Sequence, residues 1–183
     1  PFIDAACRFA QDENVSDRVD FRVGDAHNLD FPAATFDVVI AHTLISHVTE
    51  PTTVLREMAR VVRPGGILAI FDGDYASLTY AFPDHEFGHR MDVALATVGF
   101  NNPRVMRDMP RLIPKLGLKV KAAWGDAVVE IGNGSYFKSF AETYAPFVTK
   151  AGLFSAETVE VWLTAQRQAM EDGTFFASCN YYT

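Results

Sequence analysis

The stretch that decides the fold is FDVVIAHTLISHVTEPTTVLREMARVVRPGGILAIF, residues 36–71. Residues 36–41 form a nearly continuous apolar run, the mark of a strand buried on both faces. Pro51 stands where a helix would start, since a first turn leaves its N–H positions unpaired anyway. Val54, Leu55, Met58, Ala59 and Val62 then lay an apolar stripe along one helical face. Pro64-Gly65-Gly66 stops that helix, and residues 67–71 are a second apolar run. Strand, helix and strand with short joins predict a parallel βαβ unit with a right-handed crossover.

Upstream, Val19, Phe21 and Val23 alternate with Asp20 and Arg22, which predicts a strand ended by Gly24-Asp25. Residues 2–11 place Phe2, Ile3, Ala6, Phe9 and Ala10 on one helical face. Downstream, residues 84–116 read as helix with a break at 99–103. Residues 118–131 read as one long or bent strand, and Gly132-Asn133-Gly134 as a turn. Helices are expected over 136–150 and 156–170, and an aromatic-rich strand over 174–182. No internal repeat or low-complexity tract interrupts a single domain over 1–183. The blocks 72–116 and 133–171 are long inserts after strands, where lids and substrate-facing segments arise.

A chain of 183 residues can bury a sizeable core, and 49% hydrophobic with 21% charged residues is ordinary for a globular protein. The net charge of −7 argues against nucleic acid and against an anionic membrane surface as partners, with Lys and Arg reading as scattered. Cys7 and Cys179 form no metal-ligand spacing and read as two buried thiols of a reducing cytoplasm. No apolar run approaches the roughly 20 residues that cross a bilayer, and the first residues have no signal-peptide pattern.

Three segments carry a family resemblance: Val23-Gly24-Asp25-Ala26, Phe36-Asp37-Val38-Val39 and Arg60-Val61-Val62-Arg63-Pro64-Gly65-Gly66. Together they resemble the middle and rear of a class I S-adenosylmethionine (SAM) dependent methyltransferase, of the type 11 small-molecule group that includes quinone C-methyltransferases. The resemblance implies an α/β, Rossmann-like sheet lacking its first two strands, with helical lid segments. The family's glycine-rich loop and the acid that holds the ribose are not matched, so the match covers about three quarters of the family domain. The implied sheet order is 3-2-1-4-5-7-6, in which the unmatched strands are central. Their absence would expose edges and favour self-association, including a homodimer.

By the same resemblance Asp25 accepts from the adenine amino group and the Ala26 N–H points at a ring nitrogen. Ala41, His42 and Thr43 would line the methionine end of SAM. His42, His47 and Asp72 are the candidates near the methyl acceptor, Asp72 to orient or deprotonate it. Each also has a structural reading: Asp25 as a turn cap, His47 as a packed ring, Asp72 as part of an acidic turn. His85 and His89 share a helix face without a third ligand, and no metal is expected. Phe137, Phe140, Tyr144 and Phe147 read as core or lid packing, or as a lipophilic pocket wall.

The implied reaction moves the SAM methyl group to an O, N or C atom of a small molecule, leaving S-adenosylhomocysteine. Two alternatives stand beside it. One is a remnant or interaction module with the fold and no complete cofactor site. The other is a nucleotide-dependent oxidoreductase, which would need its own GxGxxG after a first strand. Val128–Gly134 imitates the family's unmatched glycine-rich loop, which would make the chain a circular permutation, but Tyr136 occupies the third glycine position and no strand ending in an acid follows at the expected distance.

Overall fold

The computed structural model describes residues 2–183. Four strands, β1 (Phe36–His42), β2 (Val62–Tyr80), β3 (Gly125–Gly132) and β4 (Phe175–Tyr182), form one sheet in the order β1-β2-β4-β3. The helices are α1 (Phe2–Asp12), α2 (Pro51–Val61), α3 (His85–Gly99), α4 (Val105–Leu112), α5 (Tyr136–Lys150) and α6 (Ala156–Glu171). β1 and β2 are parallel and joined through α2, which starts with Pro51, so the expected βαβ unit is present. β4 runs antiparallel to both β2 and β3. Among the described residues, the sheet is the 4-5-7-6 portion of the order that the resemblance implies.

β2 is the hinge of the architecture. Its residues 62–71 pair with β1, and from Asp72 onward it pairs with β4. Two cores follow. One, under β1 and the first half of β2, gathers Ala41, Ile45, Leu55, Met58, Ile70 and Met109. The other, under the second half of β2 and β4, gathers Tyr80, Leu95, Phe137, Trp162, Phe175 and Cys179 against α3, α5 and α6. A fully buried Leu or Phe of this kind contributes about 1.5–3 kcal/mol relative to exposure. Local signals start the helices: the Asp84 carboxylate accepts from the Phe87 N–H at 3.0 Å, and Ser155 Oγ from the Thr158 N–H at 3.1 Å.

The Pro-Gly-Gly segment lies inside β2, which begins at Val62 rather than at 67. Gly65 takes φ +79, and a Cβ on Gly66 would meet the Asp37 carbonyl oxygen at 2.7 Å. Only glycine lets β1 come this close.

Four expectations are corrected. Residues 19–24 form no strand. Val23 is 90% exposed, and no neighbouring strand offers these residues a ladder among the described residues. The strand expected at 118–131 is ordered as β3 only from Gly125. It pairs with β4 up to the Trp124–Thr183 exchange (2.9 and 3.0 Å), and among the described residues no strand pairs with the segment before it. β1 is not buried on both faces. Val39 and Ala41 pack on the first core, whereas Val38 (48% exposed) and Ile40 (68%) point away with Ile67 of β2. Cys179 is buried as expected, but Cys7 is exposed on α1. In addition, the first nine residues of the 72–116 block continue β2, so the helical part of that block begins at α3.

Candidate functional site

β1 ends at His42, and the chain turns through residues 43–48 before α2. This is the carboxyl end of a parallel strand, where open α/β sheets place their ligands. The Thr43 N–H continues the ladder to the Phe71 carbonyl at 2.7 Å, yet Thr43 takes φ +46. A β-branched residue in the left-handed region costs about 1–3 kcal/mol and is held there only by its surroundings. The His42 ring packs on Phe71 at 4.7 Å, with Nδ1 3.3 Å from Thr43 Oγ1.

The surroundings that hold this turn are specific. Asp72, at the hand-over point of β2, is fully enclosed. Its carboxylate accepts from the Ser46 N–H at 2.9 Å, the Ser46 hydroxyl at 2.8 Å and its neighbour Gly73 N–H at 2.8 Å. From the other side, the α3–α4 loop grips the same turn. The Asn102 N–H donates to the Ser46 carbonyl at 2.9 Å and its side chain to the Val48 carbonyl at 2.6 Å, while the Asn101 side chain donates to the His47 carbonyl. The His47 ring rests on Phe100 at 4.8 Å, and Phe100 stacks on Tyr75 at 3.4 Å. Tyr75 meets Tyr181 edge-on, and the Tyr181 and Tyr136 hydroxyls are bonded to each other. Burial raises all three phenols above their ordinary range, so they act as neutral hydrogen-bonding groups. Two residues beyond Asp72, the buried Asp74 carboxylate takes a two-pronged bond from Arg107 of α4 (2.9 and 2.7 Å), which fastens α4 to β2.

The Asp25 turn is built separately. Asp25 Oδ1 accepts from the His27 N–H at 2.9 Å and lies 2.8 Å from His27 Nδ1. These bonds hold the exposed carboxyl below its usual range, the backbone one first. The turn-cap geometry is therefore present. Among the described residues the His27 Nε2 is enclosed without a partner. The exposed Asp25 carboxylate is an acceptor that an amino group could meet. Ala26 packs on the first core together with Leu44 and Ala41, which brings this turn and the β1 end to one cluster.

Of the candidate residues, Ala41, His42, Thr43, His47 and Asp72 gather at the end of β1 and the middle of β2. His42 and His47 are exposed and Asp72 is enclosed. Asp25 and Ala26 border the same core from their own turn. Sequence reasoning passed over Ser46, Asn101 and Asn102, although an Asn-Asn-Pro break between helices was a signal for a structured loop. It also passed over Glu57 and Arg60 of α2. Their ion pair (2.7 Å) anchors the segment after Asp25, through bonds to the Leu29 N–H and to the Leu29 and Phe31 carbonyls. The glycine pair after β3 is no phosphate loop. β3 is an antiparallel edge strand, and Glu130 fills the N-terminus of α5 with its own carboxylate, accepting from Ser135, Tyr136 and Phe137 N–H groups at 2.9–3.0 Å.

Comparison with known proteins bears on the family and the fold. Residues 2–70 match a family model described as a methyltransferase domain. The chain is 48% identical over 59 residues to 27-O-demethylrifamycin SV methyltransferase of Amycolatopsis mediterranei, covering 32% of this chain and 22% of that protein. It is 53% identical over 51 residues to phosphatidylethanolamine N-methyltransferase of Cereibacter sphaeroides, covering 28% of this chain and 25% of that protein. The chain thus spans about a quarter of the length of the curated relatives it matches. The fold is shared with a crystal structure from Bacillus halodurans C-125, of a protein assigned as a methyltransferase. That match has TM-score 0.57 and 13% identity, covering 90% of this chain and 75% of that one.

Proposed function

We propose, for a chain whose residues 2–70 match a methyltransferase domain and whose fold is shared with a protein assigned as a methyltransferase, the transfer of a methyl group from SAM to an O, N or C atom of a small molecule. The observation that carries the proposal is the strained turn at the end of β1, clamped by Asp72 on one side and Asn102 on the other. A costly conformation fixed from two sides at the ligand-binding end of a parallel strand is how a fold holds a reacting centre in place.

Asp25 and Ala26 are the residues that would hold the adenine, and Ala41 to Thr43 those that would border the methionine portion. When bound, SAM supplies a methyl group already activated on a sulfonium. The chain's own part is orientation and exclusion of water. His42 and His47 are exposed on the turn, within reach of an incoming acceptor, and either ring can take a proton from an O–H or N–H nucleophile. Asp72 acts as a positioning group, since its oxygens are engaged with Ser46 and Gly73. The helical parts of 72–116 and 133–171 serve as cover, held by a core in which Phe100, Tyr75 and Phe140 are buried with Tyr144 packed against them.

Among the described residues, no helix is long and apolar enough to cross a membrane. Two unpaired cysteines suit a reducing cytoplasm, which we take as the place of action. The face bearing Val38, Ile40 and Ile67 supports self-association.

The test is calorimetric titration with S-adenosylhomocysteine, with molar mass from light scattering, on the parent chain and Asp25→Ala. Micromolar binding weakened about tenfold or more by Asp25→Ala supports the reading. A folded sample that binds nothing assigns the chain to the remnant class instead.

A further inference from the structure

The positive charge of this acidic chain is concentrated. Between 104 and 121, Arg104, Arg107, Arg111, Lys115, Lys119 and Lys121 stand against one acid, Asp108. Arg107 is engaged with Asp74, and Arg111 only approaches Asp108 at 3.8 Å with its side chain 82% exposed. Arg104 and Lys115 make no ion pair among the described residues. Arg104, Arg111 and Lys115, with the single acid Asp108, line one open groove of about 560 Å³ that Pro51 and Thr52 at the start of α2 also line.

Helix α2 has eleven residues and no side chain bonded across its first turn, so the positive end of its backbone dipole adds to the three cations. Cations with few internal partners, converging on a groove of small-molecule size, form a site for a compact anion. Guanidinium groups favour oxyanions that accept two bonds at once. We propose that this groove binds the phosphate group of a phosphorylated small molecule. The site is separate from the methyl-transfer centre and stands whether or not that centre is active.

It is also connected to that centre. Asn101 and Asn102 form part of the groove wall and hold the His47 and Val48 carbonyls. A phosphate drawn between Thr52 and Arg104 sits against the loop that clamps the strained turn.

The experiment uses the 183-residue chain without SAM. Glycerol 3-phosphate and inorganic phosphate are titrated by calorimetry and by amide chemical shifts, and phosphatidylglycerol vesicles by co-sedimentation. The same series is run on Arg104→Gln/Lys115→Gln and on Lys119→Gln, whose site lies outside the groove. The expected result is binding of at least one small phosphate, with shifts at Thr52, Asn101 and Asn102. Binding weakens about tenfold or more in the double variant and by less than about twofold in Lys119→Gln. Stronger binding of glycerol 3-phosphate than of inorganic phosphate identifies an organic phosphate as the source. The proposal is overturned if neither small phosphate binds at about 10 mM. It is equally overturned if Lys119→Gln weakens binding as much as the double variant, or if only vesicles are bound.

Discussion

Asp72→Asn isolates the clamp on the turn after β1. The substitution keeps the shape and one oxygen, which can still accept from the Ser46 hydroxyl and the Gly73 N–H. The new amide nitrogen then faces the Ser46 N–H, which now bonds to the carboxylate at 2.9 Å. A buried donor left without an acceptor costs about 1–3 kcal/mol, and two surviving bonds to a neutral oxygen instead of a carboxylate lose about half their worth. The sum is about 3 kcal/mol, or a fall in midpoint of roughly 6–12 °C for a chain of this size. The assay is urea unfolding followed by far-UV circular dichroism on the parent, Asp72→Asn, Ser46→Ala and the double variant. The two changes should be coupled by about 1 kcal/mol, because both remove one shared contact. S-Adenosylhomocysteine affinity should fall with Asp72→Asn by more than the loss of folded protein explains. A loss below about 0.5 kcal/mol, or additive single effects, would refute the clamp.

Asp92 of α3 is 5% exposed, accepts from the Tyr80 N–H at 3.1 Å and is pushed by burial to about 7. Its folded form holds a proton that the unfolded chain releases near 4, so its contribution to stability is lost as pH rises from about 4 to 7. Asp92→Asn should be more stable than the parent above pH 7 by up to about 4 kcal/mol, with the gap closing below pH 4; urea midpoints across pH that stay parallel would contradict this. Glu57 shows the opposite sign. Its bond with Arg60, the larger cause, and the Leu29 N–H hold it at about 2, so its stabilising effect is present above about 4.5 and lost as pH falls toward 2. Amide exchange at residues 29–31 should therefore quicken over that range in the parent and show no such step in Glu57→Gln. Thr43→Gly should raise stability by about 0.5–1 kcal/mol by relieving the left-handed φ, while weakening S-adenosylhomocysteine binding; a lower melting temperature would remove strain from the account.

Much of the fold was legible because it is local. Pro51 with its apolar stripe, and the two runs flanking it, carry the βαβ unit in their own spacing. Failures came where spacing says nothing about neighbours. Val19, Phe21 and Val23 alternate as a strand should, but alternation reports which side chains prefer burial, whereas a strand also needs a second backbone. The same holds for 118–124. β2 was expected to end at Phe71, because Asp72-Gly73-Asp74 resembles a turn. The strand continues since Ser46 satisfies Asp72 and Arg107 satisfies Asp74, from 26 and 33 residues away. At the site, Asp25 and the end of β1 became candidates through the family resemblance, while Asn101 and Asn102 act on a turn over 50 residues upstream. Of the sixteen lysines and arginines taken as scattered, six fall within 104–121, on and around α4.

The division of β2 also sets a timetable for synthesis. Its first half finds β1 behind it in the chain, already made. Its second half must wait for Phe175–Tyr182, roughly 100 residues later, which is about 5–20 s of translation. During that interval Gly73, Thr79 and Tyr80 have no sheet partner on the β4 side, and Asp74 awaits Arg107. The nascent chain is therefore most in need of a chaperone after α2 and before its last strand emerges, and slowing translation in the α5–α6 region would lengthen that exposure.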